Sequence, residues 1–283
     1  MTRTSFTVDT DQGLIAGWES GDGPAALFLH GGPGVNEYGQ LLSAEVDGWR
    51  FVNFQQRGMS PSTSSGPFTM EQHIADAAAV LDDRGVTRAV VVGHSFGAYL
   101  ALHFAVSHPE RVAGLVLIDG LGVIGDGGVA ELGQELIARL PEARERMRQL
   151  GEEMGDQPTD ELASEQLQLL WPGYYADPAS APAFDLRVSV AANLGTHASI
   201  GKHQSSGFAG SLAGLTMPVI SVLGERSPMP VSQGKQTAAL IPGADVRIIR
   251  GAGHLPWHEE HGCIAAALAS VWARAGEADS LPA

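Results

Sequence analysis

Four short apolar runs constrain the fold of this chain more than any other feature. They read AALFLHG, WRFVNFQ, RAVVVGHS and AGLVLIDG, and they occupy residues 25–31, 49–55, 88–95 and 113–120. Runs this dense in apolar and β-branched residues are typical of strands that are buried on both faces. Because helical stretches alternate with them, we expect an α/β fold with a mostly parallel central sheet and helices on both of its faces.

Further elements extend this pattern at both ends of the chain. Near the N-terminus, TSFTVDT and LIAGWES alternate in polarity and predict an antiparallel hairpin at the edge of the sheet. Between the second and third apolar runs, TMEQHIADAAAVLDDRG predicts a helix that begins at a capping box of Thr69 and Gln72 and ends at Gly85. Toward the C-terminus, PVISVLGE and DVRIIRG predict two strands with the helix SQGKQTAALI between them, and we expect a final helix from Pro256 to Ala275.

The alternation of strands and helices stops at residues 121–210. This segment holds the charged helical stretch AELGQELIARLPEARERMRQLGEEM and then a stretch rich in proline and aromatic residues. We interpret residues 121–210 as a helical cap, or lid, inserted into one core that is formed by residues 1–120 and 211–283.

Composition excludes several classes of partner. The 283 residues are 44% hydrophobic, which is enough for one substantial core. With 17 Lys and Arg against 32 Asp and Glu, the net charge of −15 argues against nucleic acid and anionic membranes, because phosphate binding needs clustered cations. No apolar run reaches membrane-spanning length, the first residues lack a signal-peptide core, and the single cysteine, Cys263, cannot form an internal disulfide. We therefore expect a cytoplasmic chain that acts on a small molecule, and the composition does not indicate an oligomeric state.

The third apolar run ends in a G-x-S-x-G motif, from Gly93 to Gly97, with Ser95 at its centre. The motif follows a strand and opens a helix, which is the setting of a nucleophile elbow. In such an elbow the serine occupies a strained turn with its hydroxyl exposed, and side chains at positions 93 and 97 would collide with neighbouring backbone. The motif therefore predicts that Ser95 is a nucleophile.

A second glycine-rich motif, HGGPG, follows the first apolar run at residues 30–34. Glycines at the end of a strand let backbone N–H groups point into a cavity without obstruction by side chains. Together with the N–H of Phe96, the N–H of Gly32 is placed to form an oxyanion hole. Neither glycine run has the Lys-Ser/Thr of a P-loop or the spacing of a dinucleotide-binding loop.

These motifs make the core similar to the α/β-hydrolase fold, and HGGPG with GHSFGA resembles the proline iminopeptidase-like group within it. In this fold the order along the chain is nucleophile, acid, histidine. The resemblance implies a general base in a GAGH loop after the last strand, and the histidine of that loop here is His254.

The acid of the catalytic triad is missing from its usual place. The resemblance implies an aspartate three positions after the glycine of VLGE, and that position is Ser227. A serine accepts a hydrogen bond from imidazole but does not stabilise an imidazolium as a carboxylate does. Our preferred replacement is Asp119, because some lipases and dehalogenases of this fold carry their acid at the end of that strand. Glu225 is the reserve candidate, since it lies in the usual loop two residues before Ser227.

Two other departures affect function. The stretch QQRGMSPS resembles the family's DQRG-x-G-x-S motif, and we interpret its Arg57 as a structural anchor. True proline iminopeptidases hold the substrate's amino group with glutamates near the end of the cap, whereas VSVAANLGTHASIGKH has no carboxylate. A buried ammonium without a counter-charge is unfavourable, so we do not expect cleavage of N-terminal proline. The cap aromatics are either substrate contacts or packing residues: Trp171, Tyr174, Tyr175 and Phe184.

The sequence thus predicts a serine hydrolase that cleaves a small ester, lactone, thioester or amide through an acyl-enzyme intermediate, without a metal or other cofactor. One alternative is an acyl-transfer or cyclisation enzyme, if a dry cap favours an internal nucleophile over water. Another is a ligand-binding protein with a degraded triad, which only Ser227 favours.

Overall fold

The computed structural model describes residues 2–279, which form one eight-stranded sheet with helices on both faces. The strands are β1 (Arg3–Thr10), β2 (Gly13–Ser20), β3 (Ala25–Leu29), β4 (Arg50–Phe54), β5 (Ala89–His94), β6 (Val112–Ile118), β7 (Val219–Gly224) and β8 (Asp245–Ile249). Their order across the sheet is β1-β2-β4-β3-β5-β6-β7-β8. All pairs from β4 to β8 are parallel, and β1–β2 and β2–β4 are antiparallel. The mostly parallel sheet and the antiparallel edge hairpin are therefore confirmed.

The sheet separates two apolar layers because successive side chains of a strand point to opposite faces. In β3, Leu27 and Leu29 belong to the layer that includes α1 and α2, whereas Phe28 packs in the opposite layer with α10. Strands β5 and β6 are buried along their whole length, as their continuous apolar runs predicted.

The helices are α1 (Met70–Asp83), α2 (Phe96–Ser107), α3 (Val129–Arg139), α4 (Arg144–Met154), α5 (Asp160–Leu170), α6 (Val190–Ser205), α7 (Phe208–Ser211), α8 (Val231–Ala239), α9 (Pro256–Glu259) and α10 (Cys263–Asp279). Helix α1 begins as predicted, since the Thr69 hydroxyl accepts a hydrogen bond from the N–H of Gln72. The expectation of one final helix was wrong. The chain leaves α9 at Glu260, and α10 begins after Gly262, whose φ is +86°. Among the described residues, no helix is both long and apolar enough to cross a membrane.

All five helices from α3 to α7 lie between the end of β6 and the start of β7. Within the described chain this interval contains no strand, and its one β contact is a bridge between Val188 and Val35. The exact division into a core and a cap at residues 121–210 stays a prediction.

Arg57 is fully buried in the loop after β4. Its guanidinium makes two hydrogen bonds of 2.6 Å to the carboxylate of Asp76 in α1, and it also donates to the carbonyls of Gln12 and Ser65. A fork of donors that reaches three chain segments fits the predicted role of structural anchor.

The parallel strands place their carboxyl ends at one edge of the sheet. The loops after β3, β5, β6 and β7 follow strands that are neighbours in the sheet although they are far apart in sequence. In open α/β sheets ligands bind at this edge, so a functional site is expected there.

Candidate active site

Ser95 lies in a strained turn between β5 and α2. Its φ of 56° and ψ of −121° belong to a region that a residue with a side chain rarely adopts. Such a conformation costs on the order of 1–3 kcal/mol and persists where the surrounding structure enforces it. The neighbouring glycines permit the turn, because a Cβ on Gly93 would meet the backbone of Gly97, and a Cβ on Gly97 would meet the carbonyl of Leu29. The collisions that the motif predicted are therefore present.

The loop after β3 lies directly beside Ser95. A Cβ on Gly31 would come within 2.7 Å of the Ser95 Cβ, and Gly32 has a φ of +64° that glycine tolerates. Gly32 and Phe96 both line the cavity that contains Ser95. Phe96 is the first residue of α2, so its N–H has no acceptor within the helix. The two predicted oxyanion-hole residues are thus brought together next to the serine.

His254 lies in the loop between β8 and α9, and it lines the same cavity. Its backbone N–H donates to the carbonyl of Tyr174 over 2.7 Å, and its Nδ1 is 3.2 Å from the hydroxyl of Ser227. Burial lowers the pKa of His254 well below its ordinary value, and the nearby His94 and Arg139 lower it further. A neutral imidazole is the form that accepts a proton.

Asp119 follows β6 with a φ of +41° and is almost completely buried. Its Oδ2 accepts a 3.0 Å hydrogen bond from the N–H of Gly224. Burial raises the pKa of Asp119 well above its ordinary value, while the Gly224 N–H and the Ser227 hydroxyl act in the opposite direction. The group that hydrogen-bonds His254 Nδ1 is Ser227, so the structure does not place Asp119 in the direct contact that a simple triad requires.

The reserve acid, Glu225, points away from this centre. It is exposed, and its carboxylate accepts a 2.9 Å hydrogen bond from the N–H of Gly251. Its loop turns immediately after β7, where the N–H of Ser227 donates to the carbonyl of Gly224, and this turn sends the glutamate side chain to the surface. The geometry does not support Glu225 as the partner of His254.

A buried chain of hydrogen bonds that the sequence analysis missed joins the Gly31 loop to the His254 loop. The N–H of Gly31 donates to the Tyr38 oxygen over 2.5 Å, and the Tyr38 hydroxyl lies 2.6 Å from His94 Nδ1. His94 Nε2 is 2.8 Å from the carbonyl of His254. Because a carbonyl only accepts, Nε2 carries the proton, and burial lowers the pKa of His94 to about 3, so Nδ1 accepts from Tyr38. His94 occupies the variable position of the G-x-S-x-G motif, and no sequence signal marked its partner.

Glu259, in α9, also holds the His254 loop in place. Its carboxylate accepts hydrogen bonds from the N–H groups of Gly253 and Ala176. It therefore ties the loop after β8 to the segment that follows Tyr174, another contact that the motif alone did not reveal.

A cavity of about 310 Å³ opens above Ser95 and His254. It is lined on the core side by the two glycine motifs, Tyr38, Met229 and Leu255. The predicted cap contributes Leu121, Val129, Leu132, Ala163, Gln166, Leu167, Leu170, Trp171, Tyr174, Leu186, Val188, Asn193 and His197. Within residues 2–279, the lining includes no Asp, Glu, Lys or Arg. The cavity is thus suited to an uncharged, mostly apolar ligand.

The cap aromatics divide into two groups. Trp171 and Tyr174 line the cavity, and the Tyr174 ring lies 5.2 Å from the His254 ring. Tyr175 is outside the lining and buried, with its hydroxyl 3.0 Å from His258 Nδ1 and its ring 5.4 Å from Trp171. Phe184 packs on Trp171 at 6.0 Å. Tyr175 therefore joins the predicted cap to α9, and the prediction that it contacts substrate is not supported by its position.

Known proteins are similar to this chain in sequence and in fold. The sequence profile of the Alpha/beta hydrolase family matches residues 26–266. The chain is 33% identical over 120 residues to lipase LipV of Mycobacterium tuberculosis, which covers 41% of this chain and 45% of that protein. It is 38% identical over 105 residues to the proline iminopeptidase of Neisseria gonorrhoeae, which covers 35% of this chain and 34% of that protein. These matches span less than half of the curated relatives.

Solved structures extend the likeness to the whole fold. A thermophilic esterase from Thermogutta terrifontis has a TM-score of 0.66 and 21% identity over 96% of this chain and 99% of that chain. A bacterial membrane phospholipase A has a TM-score of 0.70 and 20% identity over 97% and 87%. With the elbow, the neighbouring glycine loop and the histidine loop at one edge of the sheet, and with the family profile covering most of its length, the chain belongs to the alpha/beta hydrolase family.

Proposed function

We propose that this protein is a serine hydrolase with Ser95 as nucleophile and His254 as general base. The observation that carries the proposal is the position of Ser95, which is held in a strained elbow beneath a cavity that His254, Gly32 and Phe96 also line. Structural strain at a polar residue in a cavity is typical of a functional site. A ligand-binding protein without catalysis does not require this combination.

The proposed reaction proceeds by acyl transfer. Ser95 attacks the substrate carbonyl while His254 Nε2 takes the hydroxyl proton, and the N–H groups of Gly32 and Phe96 stabilise the resulting oxyanion. His254 then gives the proton to the leaving group, and water, activated in the same way, releases the acid. Asp119 is the proposed carboxylate of the site, although Ser227 lies at the imidazole in its place.

The lining of the cavity supports a neutral acyl group as substrate. Removing a charge from water without a partner is strongly unfavourable, and the described lining offers no charged side chain. An ester, lactone, thioester or uncharged amide fits this environment better than a peptide with a free amino terminus. The similarity to a proline iminopeptidase covers 105 residues, and we do not propose that activity here.

Fluorophosphonate labelling followed by intact mass tests the nucleophile without knowledge of the substrate. We expect one label per wild-type chain and none on Ser95→Ala, with Ser205→Ala, an exposed serine of α6, labelled like wild type. A wild type that does not label would overturn the proposal in favour of a binding protein.

Turnover of activated esters then tests the substrate class. We expect p-nitrophenyl butyrate to be hydrolysed at least about tenfold faster than the p-nitrophenyl monoester of succinate, because only the second carries a carboxylate into the uncharged cavity. Equal rates would contradict the neutral-acyl assignment. Product analysis with an added alcohol separates hydrolysis from acyl transfer.

A further inference from the structure

The hydroxyl of Ser227 lies between His254 and the backbone of Met229. Its oxygen is 3.2 Å from His254 Nδ1 and accepts a 3.1 Å hydrogen bond from the N–H of Met229. The turn after β7 holds the residue in place, since the N–H of Ser227 donates to the carbonyl of Gly224. The same Gly224 donates its own N–H to the Asp119 carboxylate, so one short turn connects the hydroxyl with the carboxylate.

Counting donors and acceptors fixes the direction of these bonds. A serine hydroxyl has one proton to donate and two lone pairs to accept. For His254 Nε2 to take a proton from Ser95, the neutral ring must carry its proton on Nδ1, a requirement that rests on the proposed function. Nδ1–H then donates to the Ser227 oxygen. With Met229 as the other donor, both lone pairs are filled, and the hydroxyl proton needs an acceptor.

The ionised carboxylate of Asp119, which the Gly224 N–H favours against the effect of burial, is the acceptor that the structure offers. Its Oδ2 already accepts a hydrogen bond from the N–H of Gly224. Its Oδ1 is buried and has no hydrogen-bond partner among the described residues. The Ser227 hydroxyl acts to lower the pKa of this carboxyl, whereas burial raises it. A buried acceptor without a partner and a hydroxyl proton without an acceptor are therefore held by the same residue, Gly224, at the ends of neighbouring strands.

We propose that Ser227 is a positioning residue that connects Asp119 to His254, so that the site is a chain of Ser95, His254, Ser227 and Asp119 rather than a triad. Asp119 holds the hydroxyl proton and thereby turns the lone pairs of Ser227 toward His254 Nδ1–H. Without that acceptor, the hydroxyl is free to donate to Nδ1. The ring proton then moves to Nε2, where it blocks proton transfer from Ser95.

Rates of Ser95 labelling test this connection. We expect Ser227→Ala and Asp119→Asn each to lower the second-order rate constant for fluorophosphonate labelling by about 100-fold, as loss of a residue that orients the base does. The double variant should label no more slowly than the slower single variant, because both changes break one chain. Glu225→Gln, a carboxylate change in the same loop but at the surface, should label like wild type.

Two additional variants separate positioning from packing. Ser227→Thr keeps the hydroxyl and should retain most of the wild-type rate, whereas Ser227→Ala keeps the volume and does not. In the Asp119→Asn background, Ser227→Asp places a carboxylate directly beside His254 and should restore labelling to within about tenfold of wild type. Multiplicative losses in the double variant, or a rate within about twofold of wild type in Asp119→Asn, would overturn the proposal.

Nuclear magnetic resonance of the ¹⁵N-histidine-labelled protein reads the tautomer without any reaction. We expect the His254 proton on Nδ1 in wild type and its transfer toward Nε2 in Asp119→Asn. This measurement keeps the two proposals distinguishable, because a wild type that does not label refutes the hydrolase, whereas an Nε2 tautomer in wild type refutes the relay. Where Asp119→Asn does not fold, the alanine and threonine variants at Ser227 carry the same test.

Discussion

Lowering the pH should destabilise this protein through buried histidines, and His103 offers the sharpest test. This residue of α2 is buried with its ring stacked on Phe208, at a centroid distance of 3.4 Å and an angle of 8°. Its Nε2 has no hydrogen-bond partner among the described residues. The pKa of His103 is lowered to about 3, chiefly by burial and also by the nearby His203, while Glu71 opposes the shift.

The sign and size of the effect follow from proton linkage. Because the pKa is lower in the folded state, the stabilisation is complete above about pH 6.5 and is lost as the pH falls toward 3. At pH 5 the unfolded chain binds a proton at this position and the folded chain does not. His103 therefore lowers the free energy of unfolding by about 2 kcal/mol between pH 8 and pH 5. The figure depends little on the folded pKa, since the folded ring is still neutral at pH 5.

Urea unfolding at pH 8 and pH 5 measures this contribution. His103→Phe preserves the stacked shape on Phe208 but cannot bind a proton, so we expect the loss of stability between the two pH values to shrink by about 2 kcal/mol. Tyr99→Phe is the matched control, because its ring lies 4.7 Å from His103 and its hydroxyl does not ionise in this range. A His103→Phe variant with the full wild-type pH dependence would refute the reasoning.

Three further changes test the framework of the site. Gly97→Ala should destabilise the fold by roughly 1–3 kcal/mol in urea unfolding and abolish fluorophosphonate labelling, because the added Cβ meets backbone atoms. Gly133→Ala in α3 is the control: its Cβ enters open space, so this variant should be about 0.5–1 kcal/mol more stable than wild type. Tyr38→Phe leaves two buried polar groups unpartnered and should cost about 1–3 kcal/mol for each, while the same change at Tyr99, whose hydroxyl has no partner in the described chain, should be nearly neutral. Arg57→Met leaves its carboxylate partner buried and uncompensated, so we expect a loss of about 3–5 kcal/mol in thermal or urea unfolding. Stabilities equal to wild type in Gly97→Ala, Tyr38→Phe and Arg57→Met would contradict the assigned contacts.

Elements with a local signal were predictable from the sequence. The strands were marked by apolar density, the start of α1 by the Thr69 cap, and the edge hairpin by alternating polarity. The break between α9 and α10 was not, because the apolar residues that follow it suit a helix and the break depends on one glycine, Gly262. Glu45 also contributes, since its carboxylate accepts hydrogen bonds from three N–H groups at the start of α10, and that contact spans more than 200 residues.

Residues of the candidate site were predictable to the extent that their function imposes a local motif. Ser95 needs glycines on both sides, and His254 lies in a loop whose composition resembles that of the family. Tyr38 and His94 carry no such requirement. Their hydrogen bonds depend on how two loops approach each other across the sheet, which neither segment encodes alone.

The acid illustrates how topology decides what sequence spacing leaves open. Asp119 and Ser227 are separated by the whole interval that contains α3 to α7, but β6 and β7 are parallel neighbours, so the ends of both strands lie together. A carboxylate placed at the end of either strand can therefore reach the same histidine region. In the proposed site the carboxylate of Asp119 follows β6 and the hydroxyl of Ser227 follows β7. The buried imidazole of His254 is therefore in direct contact with a neutral hydroxyl and not with the carboxylate. Because an ion pair buried in direct contact carries a large desolvation cost, this arrangement keeps the resting histidine neutral, in keeping with its lowered pKa, and makes its role as a base depend on how the hydroxyl is turned.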